Sequence, residues 1–323
     1  MSLPTAREVE HEITVAAPAQ DVYRRLAEVQ TWPQTFPPTI YVDHLERGEC
    51  EERIRIWATA NGQAKSWTSR RVLDPDGLRI DFRQEVSTPP VASMGGAWVI
   101  QALSPTASRV RLLHHYRAVH DDPAGLAWID QAVDRNSRSE LAALRDNVER
   151  AAASADLTFS FTDTVEVRGP AGDVYDFIDE AGEWACRLPH VARVQLTEDP
   201  PGLQVLEMDT RAKDGSTHTT KSYRVTFPPD RIAYKQVTLP ALLTLHTGVW
   251  TFADDGAGGA TASSQHTVGL DAAAIPRILG PDATVADARE YVHSALSTNS
   301  LTTLRHAKAY VESRAVARVG SGG

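Results

Sequence analysis

Hydrophobic and polar residues alternate along several segments of the chain, and each such run predicts a strand with one buried face. Two of these segments open the two halves of the sequence, at residues 9–15 and 158–167. Each is followed by a helix that begins after a proline, and then by strands rich in β-branched residues. The glycine-rich run at residues 256–259 lies between two strands, so it predicts a hairpin turn, because a phosphate-binding loop would have to open a helix.

Each half closes with its longest helical segment, at residues 124–152 and 284–313. Thr284 and Asp287 have the spacing of a capping box, with Asp in place of the usual Glu or Gln. One strand, a short helix, a meander of strands and a long final helix predict an α+β fold. In this fold a curved antiparallel sheet wraps around the long C-terminal helix and leaves an interior cavity beneath it.

This order of predicted elements occurs twice along the chain. Residues 17–23 return as residues 169–175, at an offset of 152 positions. Further pairs follow in the same order in both halves: Trp32 and Trp184, Ser69 and Ser222, Arg71 and Arg224, Trp98 and Trp250, His114 and His266, and Asn136 and Asn299. A shared composition would not preserve this order, so the pattern indicates a tandem duplication. The two domains are predicted at residues 1–153 and 157–323, joined by a small polar linker.

Composition narrows the classes of function. The formal net charge of -9 offers no cluster of Lys and Arg for nucleic acid or for an anionic membrane surface. Cys50 and Cys186 do not repeat between the halves, so neither a disulfide framework nor a thiolate metal site is expected. No apolar run approaches the ~20 residues that a membrane helix needs. A protein of the reducing cytoplasm fits these features.

One strand in each half gathers polar residues on a single face. The residues on this face are Trp67, Ser69 and Arg71 in the first half and His218, Thr220, Ser222 and Arg224 in the second. An arbitrary arginine usually lies on the solvated surface, because Arg is seldom buried unpaired. Repetition of Ser-x-Arg in both halves favours an interior position, although alternation by itself does not say which face points inward.

Histidines occupy a second repeated position. His114 is in phase with apolar residues on its strand, and His266 matches it. A hydrogen-bonded core histidine and a titratable acid–base group both fit this pattern. His114 and His115 point to opposite faces of a strand, so they are not expected to bind a metal together. His246 replaces Met94, so the second half holds the denser polar set and is expected to do more of the chemistry.

Two further kinds of residue could contact a ligand. Asn136 and Asn299 follow apolar residues on one stripe of the final helices, where each would hydrogen-bond either a ligand or the neighbouring sheet. Trp67, Trp98 and Trp250 offer large flat surfaces that suit a hydrophobic core or a ligand platform.

Five segments resemble the di-domain aromatase/cyclases of bacterial type II polyketide synthases, and the resemblance covers nearly the whole chain. They are residues 67–71, 92–98, 188–191, 214–220 and 283–289. The resemblance implies two tandem helix-grip domains of the START/Bet v1-like superfamily that act without a cofactor. It also implies that Ser69 and Arg71, and Ser222 and Arg224, line an interior pocket. The most similar subclass serves ketoreductase-containing pathways and aromatises the first six-membered ring.

A cofactor-independent polyketide cyclase/aromatase is therefore expected. A poly-β-ketone on the phosphopantetheine arm of an acyl carrier protein would enter an apolar cavity, with other type II polyketide synthase subunits as partners. Arg224 and Arg71 would stabilise an enolate or alkoxide, and His266, helped by His246 or Ser222, would move the proton. A non-catalytic carrier or chaperone for a hydrophobic ligand is the alternative, because fold does not imply function.

The candidate residues fall into two groups, and no metal ligand is expected. The candidate catalytic residues are Arg224, Ser222, His266, Arg71, Ser69 and His114. The candidate substrate-binding residues are His246, His218, Thr220, Trp67, Trp98, Trp250, Asn136 and Asn299.

Overall fold

The computed structural model describes residues 6–60, 62–153, 155–211, 215 and 217–320. Ser154 of the predicted linker lies outside the described residues, as do Asp214 and Ser216 of one resembling segment. The chain divides into two compact units, Met1–Ala155 and Asp156–Gly323. Among the described residues, no helix combines the length and the apolar character needed to span a lipid bilayer.

The described part of the first unit consists of one antiparallel sheet, three α-helices and two short 3-10 helices, Val29–Thr31 and Val119–Asp121. Its strands are β1 (Arg7–Val15), β2 (Thr39–Arg47), β3 (Glu51–Ala60), β4 (Gln63–Asp74), β5 (Arg79–Gln84), β6 (Val91–Ser104) and β7 (Ala107–Ala118). Its helices are α1 (Ala19–Ala27), α2 (Trp32–Thr35) and α3 (Pro123–Ala153). The strands lie in the order β1-β7-β6-β5-β4-β3-β2, so the first strand pairs with the last.

The described part of the second unit repeats this plan and adds one short helix. Its strands are β8 (Thr158–Val167), β9 (Val191–Glu198), β10 (Leu203–Arg211), β11 (Thr217–Phe227), β12 (Arg231–Thr238), β13 (Leu243–Asp254) and β14 (Ala260–Leu270). Its helices are α4 (Ala171–Asp179), α5 (Trp184–Arg187), α6 (Ile275–Leu279) and α7 (Val285–Gly320). The sheet order is β8-β14-β13-β12-β11-β10-β9. Helix α6 lies in an insertion of the second unit. Because of this insertion, matching positions of the two final helices are further apart in sequence than the 152 positions that separate the earlier repeats.

Local signals in the sequence explain where several elements begin and end. The Thr284 N–H donates to Asp287 Oδ2 at 2.8 Å, and the Asp287 N–H donates to Thr284 Oγ1 at 3.2 Å, which confirms the capping box at the start of α7. The run at residues 256–259 joins β13 to β14 and is a hairpin turn, as predicted.

The hydrophobic core of each unit lies between the sheet and the helices packed on it. In the first unit α3 packs across β1, β6 and β7, and in the second α7 packs across β8 and β14. The fully buried residues of these cores include Leu26, Ile80, Leu112 and Leu144 in the first unit and Ile178, Ile232 and Leu304 in the second. Each such side chain stabilises the fold by roughly 1.5–3 kcal/mol. The predicted α+β fold, with a long C-terminal helix in each unit, is confirmed.

Two depressions lie at the surface of the second unit. One, of about 450 Å³, is lined by residues 279–283 and the first turns of α7. The other, of about 670 Å³, is lined by the hairpin around residues 257–261 and by Lys308. Both are at loops and helix ends, so the cavity beneath each long helix stays a prediction.

Candidate functional site

Each sheet carries one transverse row of side chains that come from neighbouring strands. Residues directly opposite one another in an antiparallel ladder point to the same face. The row in the first unit is Glu52, Arg71, Phe82, Gly96, His114 and Val9. The row in the second unit is Gln204, Arg224, Tyr234, Gly248, His266 and Phe161. The repeated arginine and histidine therefore share one face, but they are three strands apart, or about 14 Å at the ordinary strand spacing.

The glycine in each row makes room for the aromatic residue beside it. A Cβ atom at Gly96 would clash with the main-chain oxygen of Leu113 and with the ring of Phe82. At Gly248 it would meet the Tyr234 hydroxyl oxygen at 2.5 Å. Real Cβ atoms do not come this close, so the repeated Gly-x-Trp is a packing requirement of the row.

Arg71 is buried and binds the end of a helix. It is 2% exposed, and its Nη2 donates to the main-chain oxygen of Leu26 at 2.8 Å, with a longer Nη1 contact of 3.4 Å to that of Ala27. These carbonyls end helix α1 and have no partner within it. Glu52 Oε1 lies 2.8 Å from Nη1, and the Trp32 ring lies 5.1 Å from the guanidinium carbon. Burial lowers the pKa of Arg71 to about 10, so the group stays charged at neutral pH.

Arg224 repeats this arrangement in the second unit. It is also 2% exposed, and its Nη2 donates to the main-chain oxygen of Ile178 at 2.7 Å at the end of helix α4. The Trp184 ring lies 5.6 Å from its guanidinium carbon. Gln204 stands where the first unit has Glu52. Burial lowers the pKa of Arg224 to about 10. The predicted interior position of both arginines is confirmed, and the structure shows that they tie a strand to the end of a helix.

The histidine end of the second row is a buried hydrogen-bond network. His266 Nε2 lies 2.7 Å from Ser300 Oγ on α7, and His266 Nδ1 lies 2.9 Å from the Tyr234 hydroxyl. His246 Nε2 lies 3.0 Å from His266 Nδ1, and His246 Nδ1 lies 2.6 Å from Gln236 Oε1. Two imidazoles, a phenol, an amide and a hydroxyl therefore form one connected chain from the sheet to the helix.

The partners fix the protonation of this network. Gln236 Oε1 only accepts, so His246 Nδ1 carries a hydrogen and His246 Nε2 is the acceptor of a neutral ring. His266 Nδ1 then donates towards His246 and Tyr234, and His266 Nε2 accepts from Ser300. A further proton on His246 Nε2 would place its N–H against the N–H of His266 Nδ1. Burial is the main cause that lowers the pKa of His246 to about 3 and of His266 to about 4, so both rings are neutral at pH 7.

The first unit lacks most of this network. Phe82 and Met94 stand where the second unit has Tyr234 and His246. What remains is a contact of 3.4 Å between His114 Nδ1 and Ser137 Oγ. Burial lowers the pKa of His114 to about 4. The second unit therefore has the denser set of buried polar groups around this histidine position, while its larger share in the chemistry stays a prediction.

The long helices turn a serine to the sheet, where an asparagine was expected. Ser137 is 1% exposed and Ser300 is 4% exposed. Asn136 is exposed and Asn299 is partly exposed. The prediction that the asparagines occupy the buried stripe is wrong by one residue. In the first unit the stripe continues to Leu144, two turns after Ser137, so the serine and not the asparagine lies on it.

The other candidates lie in several environments. Ser69 is buried and donates to the main-chain oxygen of Arg83 at 3.1 Å, whereas Ser222 is partly exposed. Thr220 is buried on the inner face, and its hydroxyl lies 3.5 Å from the main-chain oxygen of Met208.

The tryptophans and His218 belong to different parts of the units. Trp98 and Trp250 are buried in the two main cores. Trp67 is partly exposed and packs on a smaller cluster that includes Ile54. His218 is exposed at the start of β11. Sequence reasoning gave no role to Tyr234, Gln236 or Ser300, although the difference between Phe82 and Tyr234 at matching positions was a usable signal.

The model of the family described as "polyketide cyclase / dehydrase and lipid transport" matches the chain twice, over residues 6–149 and 158–309. The granaticin polyketide synthase bifunctional cyclase/dehydratase of Streptomyces virginiae is 57% identical over 302 residues, which cover 92% of this chain and 97% of that protein. The actinorhodin polyketide synthase bifunctional cyclase/dehydratase of Streptomyces coelicolor is 45% identical over 320 residues, which cover 96% of this chain and 98% of that protein.

Two crystal structures are similar over nearly the full length. The di-domain ARO/CYC BexL of the BE-7585A pathway has a TM-score of 0.90 and 64% identity, and covers 95% of this chain and 99% of its own. The di-domain ARO/CYC StfQ of the steffimycin pathway has a TM-score of 0.87 and 36% identity, with the same coverage of 95% and 99%. The duplicated sheet-and-helix plan and the resemblance are thus confirmed, and the chain belongs to the polyketide cyclase/dehydrase and lipid transport family.

Proposed function

We propose that this chain catalyses first-ring cyclisation and dehydrative aromatisation of a ketoreduced poly-β-ketone held on an acyl carrier protein. Relatives that match it over nearly their whole length are named bifunctional cyclase/dehydratases of polyketide synthases. The structural observation that carries the proposal is the row of each unit, buried or partly buried along its length, which places hydrogen-bonding and titratable groups beside apolar ones. Such a layer excludes water, which would otherwise let a reactive polyketone cyclise incorrectly.

Neutral donors are the chemistry that the second row offers. Aldol closure converts a ketone oxygen into an alkoxide, and a preorganised donor at that oxygen lowers the barrier by on the order of 3 kcal/mol. His266 Nδ1 donates to the Tyr234 oxygen, which fixes the direction of that hydroxyl before a ligand arrives, whereas the single hydrogen of the Ser300 hydroxyl is already donated to His266 Nε2.

Positioning is the role proposed for the two arginines. Their donors bind the carbonyls that end α1 and α4, so Arg71 and Arg224 fix the far end of each row against a helix. Their positive charge also reduces the cost of an enolate in the same low-dielectric layer. Ser69 and Ser222 lie next to these arginines on the same face and complete that end of the pocket.

The partners follow from the substrate. An acyl carrier protein would deliver the chain on its phosphopantetheine arm, and the other type II polyketide synthase subunits would make and release it in the cytoplasm. None of the proposed steps uses a cofactor, because aldol closure and loss of water change no oxidation state of the substrate as a whole.

The test is product analysis of a reconstituted minimal synthase with the full chain. Tyr234→Phe should lower the yield of the aromatised product at least about tenfold, since it removes one donor from the alkoxide. Tyr175→Phe is the matched control, because Tyr175 is buried in the same unit but lies outside the row. If the wild-type chain itself left the product pattern of the minimal synthase unchanged, the proposed function would be wrong.

A carrier role is the second candidate, and one observation favours it for the second unit. The histidine network there satisfies its own hydrogen bonds without a ligand, as a scaffold would. A carrier should bind hydrophobic polyketide and tolerate His266→Asn and Arg224→Gln, provided that both variants fold. A catalyst should lose aromatised product in both variants, so the same synthase assay separates the two roles.

A further inference from the structure

A carboxyl group lies at the edge of the buried histidine network of the second unit. Asp163 on β8 stands directly opposite Ser264 on β14, which comes two residues before His266. Residues two apart on a strand, and residues paired across a ladder, share one face, so all three side chains lie on the inner face. Asp163 Oδ1 accepts a hydrogen bond from the Ser297 hydroxyl of α7 at 2.6 Å. The carboxyl is therefore held between the sheet and the long helix.

The second oxygen of this carboxyl is buried without a hydrogen bond. Among the described residues, none donates to Asp163 Oδ2. An unsatisfied carboxylate oxygen in the interior costs free energy, so its position indicates a role other than stability. The residue as a whole is partly exposed, which allows its carboxyl to exchange protons with water.

A donor for Asp163 Oδ2 is available across the ladder. Ser264 is fully buried, and its Oγ lies 3.1 Å from His266 Nε2. That nitrogen has one lone pair, which already takes the hydrogen of the Ser300 hydroxyl at 2.7 Å. The Ser264 hydrogen is therefore left over. Paired Cβ atoms in a ladder lie roughly 4.5–5.5 Å apart, so rotation about one bond turns the Ser264 hydroxyl from His266 to Asp163.

The groups around His266 favour a ring that stays neutral. Burial is the main cause that lowers its pKa to about 4, and the negative charge of Asp163 acts in the opposite direction. The other titratable groups near the ring, among the described residues, are His246 on β13, Tyr234 on β12 and His293 on α7. Burial raises the pKa of Tyr234, so its phenol keeps its hydrogen. A proton can therefore cross this site most easily if it enters one ring nitrogen as another leaves the second.

The first unit lacks this arrangement. The positions of Asp163, Ser264 and Tyr234 are occupied there by His11, Leu112 and Phe82. His11 Nε2 lies 2.9 Å from Asp134 Oδ1 on α3, so the carboxyl stands on the helix and the imidazole on the strand. Leucine and phenylalanine side chains cannot pass a proton, so the connected groups belong to the second unit alone.

We propose that the second unit contains a proton relay from the Tyr234 hydroxyl to the Asp163 carboxyl, which rests on the proposed function. Its members, in order, are Tyr234, His266, Ser264 and Asp163. The Tyr234 hydroxyl lies 2.9 Å from His266 Nδ1, and His266 Nε2 lies 3.1 Å from Ser264 Oγ. Asp163 does not touch the substrate, so it is a positioning residue that acts through the other three.

The relay supplies the proton that ring closure needs. The Tyr234 O–H bond breaks as the O–H bond of the new alcohol forms, and the hydrogen of His266 Nδ1 restores the phenol. The Ser264 hydrogen moves to His266 Nε2, and a proton that Asp163 has taken from water restores the serine. The ring ends neutral with its hydrogen on the other nitrogen, and Asp163 ends as a carboxylate.

The next enolisation of the substrate resets the relay. A carbon–hydrogen bond breaks, its electron pair stays on the substrate as an enolate, and the proton passes to the Tyr234 oxygen. The phenol hydrogen moves to His266 Nδ1, and the Nε2 hydrogen moves to Ser264. The serine hydrogen passes to the Asp163 carboxylate and from there to water. The two steps together return every group to its starting state.

Four variants of the full chain in the reconstituted synthase test the relay. Asp163→Asn keeps the size of the side chain but removes the carboxylate, and Asp163→Glu keeps the carboxylate on a longer side chain. Ser264→Ala removes the bridging hydroxyl. Ser263→Ala is the matched control, because the Ser263 hydroxyl bonds Thr164 on the opposite face of the same two strands. The aromatised product is quantified, and folding is checked by circular dichroism and thermal unfolding.

The order of the variants separates a relay from packing. Asp163→Asn and Ser264→Ala should each lower the yield at least about tenfold, with Ser263→Ala at the wild-type yield. Asp163→Glu should retain more activity than Asp163→Asn, because it still carries a proton. A structural carboxyl would give the reverse order, since Asn fits the site and still accepts from Ser297.

Wild-type yield from Asp163→Asn or Ser264→Ala, or a yield from Asn at or above that from Glu, would overturn the relay. If the wild-type chain had no effect on the product pattern, the proposed function itself would be contradicted. Loss of product in Tyr234→Phe without loss in Ser264→Ala would keep the proposed function and remove only the relay.

Discussion

His266 and Ser300 join the sheet to the long helix of the second unit through a contact of 2.7 Å between Nε2 and Oγ. The corresponding contact in the first unit, between His114 and Ser137, is 3.4 Å long. The duplicated pair is thus a close hydrogen bond in one unit and a marginal one in the other. Hydroxyl removal should therefore have unequal effects in the two units.

Ser300→Ala should destabilise the second unit by about 1 kcal/mol or more, because it leaves His266 Nε2 buried with Ser264 Oγ at 3.1 Å as its remaining partner. Ser137→Ala should have a smaller effect, because less of a hydrogen bond is lost. Urea unfolding of both variants measures the difference. Equal losses in the two variants would contradict the inequality.

The buried ion pair of Arg71 and Glu52 predicts that loss of the arginine destabilises the two units unequally. Glu52 is 6% exposed, so Arg71→Ala would leave its carboxylate in the interior without the guanidinium, at a cost of about 3–5 kcal/mol. Arg224→Ala should cost less, because Gln204 opposite it carries no charge and the carboxyl that interacts with Arg224, that of Asp179, is only partly buried. Adding Glu52→Gln to Arg71→Ala should recover part of the loss. Denaturant midpoints of the three variants check this order, and no recovery in the double variant would contradict it.

Local patterns predicted the elements, because strands and capped helices depend on neighbouring residues. Strand β8, the capping box at Thr284 and the hairpin at residues 256–259 all follow from periodicity and turn chemistry. The partners of Arg71 could not be predicted. Besides Glu52, they are main-chain oxygens more than 40 residues away, and every residue has such an oxygen, so the sequence does not distinguish them.

The buried stripe of helix α3 shows a second limit of prediction from the sequence. After Val133, the face of a helix continues equally well at the third residue, Asn136, or the fourth, Ser137. The first few apolar positions do not distinguish these two continuations. Leu141 and Leu144 do, because they lie four and seven residues after Ser137 and are buried. A longer window along the helix would have selected the serine.

Acid should destabilise the second unit through its histidines. The folded-state pKa values of His246 and His266 are about 3 and 4, whereas an unfolded histidine titrates near 6.5. Between these values the unfolded chain binds protons that the folded chain does not, so stability falls as the pH is lowered from about 6.5 towards 4. His246→Met, which copies Met94, should reduce this slope by up to about 1.4 kcal/mol per pH unit. Parallel stability curves for the variant and wild type would contradict the prediction.

Glu140 lies three residues after the buried Ser137 on helix α3, and its carboxyl predicts the opposite dependence on pH. Its folded-state pKa is raised from 4.5 to about 7, so the folded chain holds a proton that the unfolded chain has lost. Its contribution to stability is complete below pH 4.5 and disappears as the pH rises to about 7. Glu140→Gln should therefore gain stability relative to wild type across this interval, with a constant difference above it.

Thermal unfolding of wild type and Glu140→Gln at several pH values measures this gain. Thr303 occupies the matching position of helix α7, so Thr303→Val is a control that carries no titratable group. A buried carboxyl requires the two melting curves to separate between pH 4.5 and about 7. A difference that stayed flat across that interval would place Glu140 in open solvent.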